Sequence, residues 1–236
     1  MKYIIGTILI IGGAVFAVAY ATPKQTTTEV SVLRDITSPQ LAQPQTDTIL
    51  PLFNLSNYAW NGAQFQFADI SNVGYTQVKE ASVSTANQWL SNELKRNSEV
   101  SQFNTDVESI ITDAKKEKIG RWHSSIYAPI ARELNRMAQS PAQNRILIIY
   151  SDLMENDIAV SFYYPNEFSL LQSNPGVIEK YFEKEVPLSQ LNGIQVYLIY
   201  QPAGTISDWQ YSIVSKFYQN LLEQKGAIVT VEANLQ

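Results

Sequence analysis

No cysteine occurs in the 236 residues, which excludes disulfides, thiolate nucleophiles and cysteine-bound zinc. Histidine is almost as scarce. His123 stands alone, so no histidine-rich metal centre or catalytic triad takes shape around it, and beside Trp122 it reads as a loop contact and not a general base. Basic residues number 17 against 22 acidic ones and form no stripe, which argues against a dedicated nucleic-acid binder. Walker loop, dinucleotide fingerprint and nucleophile elbow are all missing, so the common nucleotide and serine-hydrolase chemistries have no foothold. There is no internal repeat, no low-complexity tract and no sign of a second folded domain.

Charge is absent from one long stretch. After Met1-Lys2 the chain runs from Tyr3 to Ala21 without a charged residue, rich in Ile, Val, Ala and Gly. As a helix this run would reach roughly 28 Å, close to the thickness of a bilayer core. It ends in Ala19-Tyr20-Ala21, a small-x-small pattern of the kind that signal peptidases cut. Two readings stand for residues 1–21, a retained transmembrane anchor or a signal peptide cleaved near Ala21, with secretion following in the second. Both export the remainder of the chain to the periplasmic or cell-surface side. Without Lys2 the formal charge of -5 becomes -6, a mildly acidic body. Residues 22–28 are small and polar and read as a tether, leaving 29–236 as the domain.

That domain alternates strands and helices. A strand ends at Asp35, and Ser38 with Pro39 offers a cap and first turn for a helix. Gln64–Ile70 alternates polar and apolar residues, and a turn through 71–74 leads to a return strand over Tyr75–Val83. Ser84 is placed to cap a helix with Trp89, Leu90 and Leu94 on one face, and a second helix runs over 98–116. A helix over 126–137 precedes the apolar run Ile146–Ile149; after it come a run over 194–200, a helix over 207–224 and a strand over 227–231. The pattern predicts one three-layer α/β domain with a mainly parallel sheet and one antiparallel edge strand. Val30–Leu33, Ile146–Ile149, Val196–Ile199 and Ile228–Val231 should build the sheet core.

Two of the strands share a design, an apolar run that ends on an aspartate. Val30-Ser31-Val32-Leu33-Arg34-Asp35-Ile36-Thr37 is the first and Ile146-Leu147-Ile148-Ile149-Tyr150-Ser151-Asp152 the second. Ligands of open α/β sheets bind outside the carboxyl ends of the strands. Two aspartates there, with hydroxyls nearby, make a hard oxygen site suited to a magnesium-type cation. Taken alone, either aspartate reads as a turn former or cap. Glu155, Asn156 and Asp157 read as a solvated loop, and the Tyr163-Tyr164-Pro165 and Tyr197/Tyr200 clusters as packing.

The element order and these motifs resemble the von Willebrand factor A (vWA) domain family. Asp35 and Thr37 match the first two positions of its Asp-x-Ser-x-Ser motif, Ser124 (with Ser125 as the near alternative) its loop threonine, and Asp152 its late aspartate. The resemblance implies a metal-ion-dependent adhesion site holding Mg2+ through Asp35, Thr37, Ser124 and Asp152. It also implies a protein partner whose acidic group completes the shell. Pro39 stands where the family has a third hydroxyl, and Trp122-His123 where it has glycines, so a degenerate, metal-free version of the site also stands open. Asp35-Ile36-Thr37 is similar, too, to the nucleophile motif of haloacid dehalogenase-like phosphohydrolases, which implies phosphohydrolase chemistry on Asp35. There the run Asp152–Asp157 is one residue too long for the late acidic motif and lacks its glycine.

Overall fold

β1 (Thr27–Asp35) is buried along nearly its whole length, and its side chains divide by parity between two cores. A computed structural model describes residues 25–37, 40–71, 74–75, 77–116 and 125–235. Val30 and Val32 join Phe65, Phe67, Ile146 and Ile148 on one face of the sheet, while Leu33 joins Ala68, Leu147 and Ile149 on the other. Burial on both faces is what a parallel sheet covered by helices requires. β1 begins at Thr27, so the last two residues assigned to the tether belong to the strand.

Among the described residues the sheet has seven strands. β2 (Gly62–Ser71), β5 (Asn144–Tyr150), β6 (Ile194–Ile199) and β7 (Ile228–Glu232) all run parallel with β1, in the order β2-β1-β5-β6-β7. The antiparallel return strand is delivered in two pieces, β3 (Gly74–Tyr75) and β4 (Lys79–Val83), both paired with β2. A mainly parallel single α/β domain with an antiparallel edge is therefore present. At the opposite edge the core expectation needs correction. In β7 only Val229 is buried, whereas Ile228 and Val231 are exposed: β7 is the last strand of the sheet and pairs with β6 alone, so no neighbouring strand shields its outer side.

Helices cover both faces. α1 is a single turn, Thr46–Ile49, continued by a 3₁₀ turn over Leu50–Phe53. With α2 (Glu93–Ala114) these pack Ile49, Phe53, Phe103, Val107 and Ile111 on the Val30/Phe65 face. α3 (Tyr127–Ala138), α4 (Pro165–Ser173), α5 (Pro175–Glu185) and α6 (Thr205–Gln224) cover the other face through Ile130, Leu134, Phe182, Val214 and Tyr218. The helix expected after Ser38 does not extend over residues 40–45, which are non-helical; Ser38 and Pro39 themselves lie outside the described residues. α4 and α5 are not anticipated by the apolar pattern of the sequence. Each opens with a proline in its first turn, where the missing N–H costs nothing, so a residue that breaks helix interiors starts these two. Residues 1–21 also lie outside the described part; within it, no helix is long and apolar enough to cross a membrane.

The helix expected from Ser84 does not form. Asn87 takes the Trp89 N–H at 2.9 Å in a local turn, and the helix starts only after Asn92, whose side chain accepts the Lys95 N–H at 3.1 Å. Trp89, Leu90 and Leu94 are consequently exposed. One turn later the guanidinium of Arg96, 2% exposed, gathers the carbonyls of Ala59, Ser84 and Asn61 at 2.5, 2.8 and 2.5 Å. It thereby ties two irregular loops to α2. Charged hydrogen bonds are each worth about 1.5–3 kcal/mol, and Arg96→Ala removes three of them together with a buried side chain. Chemical denaturation should report a loss of about 3 kcal/mol or more for that variant, with near-native values for the neighbouring surface change Lys95→Ala.

Candidate functional site

The connection from β1 to β2 and that from β5 to β6 leave β1 and β5 in opposite directions across the sheet, so the carboxyl ends of these two neighbours form the topological switch point. A crevice is expected there on geometric grounds. Asp35 is the last residue of β1 and Asp152 the second after β5, so the two aspartates do stand at that edge.

Asp35 is 2% exposed and organised by hydroxyls. Its Oδ1 accepts the Thr37 hydroxyl at 2.6 Å and the Thr37 N–H at 2.8 Å, the compact turn that an Asp-x-Thr spacing allows. Its Oδ2 accepts the Ser151 hydroxyl at 3.0 Å across the strand boundary. Among the described residues no lysine or arginine pairs with it. Burial pushes the Asp35 carboxyl above the usual range, against the pull of the Thr37 and Ser151 hydrogen bonds. A buried anion in that state calls for a proton or a cation.

Ser151 is the residue that sequence reasoning passed over. Fully buried, its Oγ donates to Asp35 and also accepts the Leu153 N–H at 2.9 Å. Leu153 sits at φ 61°, in the left-handed region that a leucine avoids at a cost of about 1–2 kcal/mol. Its buried side chain and that hydrogen bond hold it there. The reversal turns the chain directly after Asp152. A hydroxyl immediately before the late aspartate was the available signal, since Ser-Asp is both a turn and a donor–acceptor pair.

Asp152 is partly buried, and its Oδ1 accepts the Met154 N–H at 3.0 Å. Its charge reaches the same neighbour as that of Asp35. The Tyr163 hydroxyl is pushed up by partial burial, then by Asp152, then by Asp35. Burial and Asp152 act likewise on Tyr200 and Tyr211, whose rings pack 4.9 Å apart, while the Tyr211 hydroxyl donates to the Leu198 carbonyl at 3.1 Å. Tyr200 thus packs as anticipated. Tyr163 and Tyr164 do not: they are 54% and 63% exposed, and Ile158, Ile206 and Trp209, which like them lie in the segments that follow β5 and β6, are exposed too. Ser124, Trp122 and His123 lie outside the described residues, whereas Ser125, the alternative, is half-buried just ahead of α3.

Of the four predicted ligands, Asp35 and Thr37 are in direct contact, and Asp152 directly follows Ser151, whose hydroxyl reaches Asp35. The described members, Asp35, Thr37 and Asp152, offer two carboxylates and one hydroxyl, hard oxygens of the kind that suit Mg2+ and not zinc or copper. Among the described residues no group of three or more His, Cys, Asp or Glu side chains is placed to hold a metal ion.

Glu155 does not lie in a solvated loop. It is 2% exposed, and its carboxylate accepts the Ile126 N–H at 3.1 Å and the Tyr127 N–H at 2.8 Å. α3 has no cap from its own N-cap side chain, so this glutamate from the β5 loop does the capping. Burial raises its carboxyl to about 8, more than the two backbone donors lower it, with Glu185 and Asp157 adding to the rise. Asn156 and Asp157 are only half-buried. A hollow of about 550 Å³ lies at the far, amino edge of the sheet, lined by Ser84–Asn87, Leu90 and Lys95 among others, and not beside the aspartates.

No known family model matches the sequence, and no curated protein does. Among solved structures, a point mutant of the PilB minor pilin from Streptococcus sanguinis superposes with a TM-score of 0.47 at 11% identity, over 90% of this chain and 58% of that one. The chain therefore spans 58% of the length of that pilin.

Proposed function

We propose that this chain is an exported, membrane-anchored binding module of the von Willebrand factor A type. In this reading it engages another protein through a Mg2+-dependent site at the carboxyl edge of its sheet. The observation that carries the proposal is the buried Asp35 carboxylate, placed at the switch point and held by hydroxyls from both strand ends without a basic partner among the described residues. Asp35, Thr37 and Asp152 supply the protein's oxygens, with Ser124 as the fourth ligand implied by the family resemblance. Ser151 positions Asp35. The cation, when bound, offers a vacant position to an acidic group of the partner. The exposed Tyr163, Tyr164, Ile206 and Trp209 around this edge supply apolar contact area for such a partner.

Asp35→Asn tests the proposal without disturbing packing. The amide still accepts from Thr37 but lacks the charge that a cation needs. Mg2+ binding, measured by calorimetry, should fall at least tenfold, about 1.4 kcal/mol or more. Thermal stability without metal should hold or rise at neutral pH, because a buried carboxyl held above its usual range opposes folding once ionised. Unchanged Mg2+ affinity in Asp35→Asn and in Asp152→Ala would sink the reading. In the wild type, binding should strengthen as pH rises through the Asp35 titration, since the proton competes with the cation.

A further inference from the structure

We infer that Trp89, Leu90 and Leu94 form a lipid-contacting foot, seated in the headgroup region of the membrane that holds the chain. This rests on the proposed reading of residues 3–21 as a retained anchor. Trp89 is 71%, Leu90 87% and Leu94 81% exposed, three large apolar side chains grouped at the start of α2. Grouped exposure of this kind marks an interaction surface.

The way the chain enters the domain selects the occupant. Gln25 donates its side-chain amide to the Ala86 carbonyl at 2.7 Å, and the Thr26 N–H donates to the Asn61 side chain at 3.2 Å. The entry point is therefore fastened to the loop that carries Trp89 and Leu90. From Ala21, the end of the apolar run, to Gln25 is four residue steps, which span at most about 14 Å when fully extended. The headgroup zone on each side of a bilayer is about 5–8 Å deep. A chain anchored through residues 3–21 thus holds Gln25, and with it the 84–94 region, at the lipid surface. Tryptophan partitions to that depth, with its ring in the apolar boundary and its N–H toward water, and leucine adds apolar area beside it.

The geometry also sets which edge faces outward. β1 starts beside Gln25 and climbs through nine residues to Asp35, about 26 Å at strand spacing. A foot at the amino edge directs the Asp35/Asp152 edge away from the membrane, where a partner on another surface can reach it.

The lack of cysteine permits a direct test. Leu90→Cys and Ile158→Cys, each labelled with an environment-sensitive fluorophore, report from opposite edges of the full-length protein in phosphatidylcholine–phosphatidylglycerol vesicles containing nitroxide lipid. The label at position 90 should lose most of its emission to the lipid quencher, and the label at 158 should lose almost none. Equal, weak quenching at both positions in protein that floats with the vesicles would overturn the foot and leave the anchor standing. Failure to float would overturn anchor and foot together. Disulfide pairing of unlabelled Leu90→Cys chains, in place of lipid quenching, would assign the patch to a second copy and likewise overturn the proposal.

Discussion

Replacing Asp69 with alanine is expected to remove about 3–5 kcal/mol of folding stability. Arg34 and Asp69 are register partners on β1 and β2, and Arg34 Nε donates to Asp69 Oδ1 at 2.7 Å. Their side chains are only 3% and 8% exposed. The same guanidinium donates to the Ala114 carbonyl at the end of α2, 2.8 Å away, and lies 5.5 Å from the Phe67 ring centroid. Alanine at position 69 leaves this buried cation, among the described residues, with the Ala114 carbonyl and the Phe67 ring for compensation. Against the roughly 5–15 kcal/mol that holds a typical domain together, such a loss is a large fraction. Urea denaturation should show it as a lower midpoint with an unchanged slope. Arg34→Met combined with Asp69→Leu should recover most of the loss, because it removes both charges and keeps the volume. A single variant as stable as the wild type would mean that water reaches the pair.

The second large effect is a pH dependence traceable to Glu155. An unfolded glutamate titrates near 4.5, whereas burial raises the folded one to about 8. Between those values the folded state holds a proton that the unfolded state has released. The stabilisation is thus fully present below about 4.5 and is lost as pH rises toward about 8. The slope is up to about 1.4 kcal/mol per pH unit. Glu155→Gln keeps a carbonyl oxygen for the Ile126 and Tyr127 N–H groups and removes the titration. Wild type and variant should be similar in stability at pH 4.5, and the variant clearly the more stable at pH 8. Parallel curves across this range, from denaturation at four or five pH values, would place the proton elsewhere.

Glu155 also shows where sequence reading loses its grip. In one dimension it stands in a polar run, Glu155-Asn156-Asp157, and looks solvated. Its role arises because α3 begins without a cap of its own, 28 residues earlier in the chain, and points its free N–H groups at the β5 loop. Ser151 is similar, since its partner Asp35 is 116 positions away. Trp89, Leu90 and Leu94 failed in the opposite sense. Their spacing suits a helix face, but Asn87 and Asn92 compete for the backbone, and the helix starts too late to bury them. The helices that open at Pro165 and Pro175 went unread, because whether a proline starts a helix or ends one depends on the residues after it.

The sequence by itself determined the alternation of strands and helices, the parallel sheet with its antiparallel edge, and the placing of Asp35 and Asp152 at strand ends. These come from the period of apolar residues and from local turn chemistry, which act over a few residues. Tertiary structure alone decided the order β2-β1-β5, which makes neighbours of two strand ends more than a hundred residues apart and puts the switch point between them. It alone decided, too, that Glu155 is buried and that β7 is an edge. Strand order and burial depend on which faces the whole chain can cover at once, and no local pattern encodes that sum.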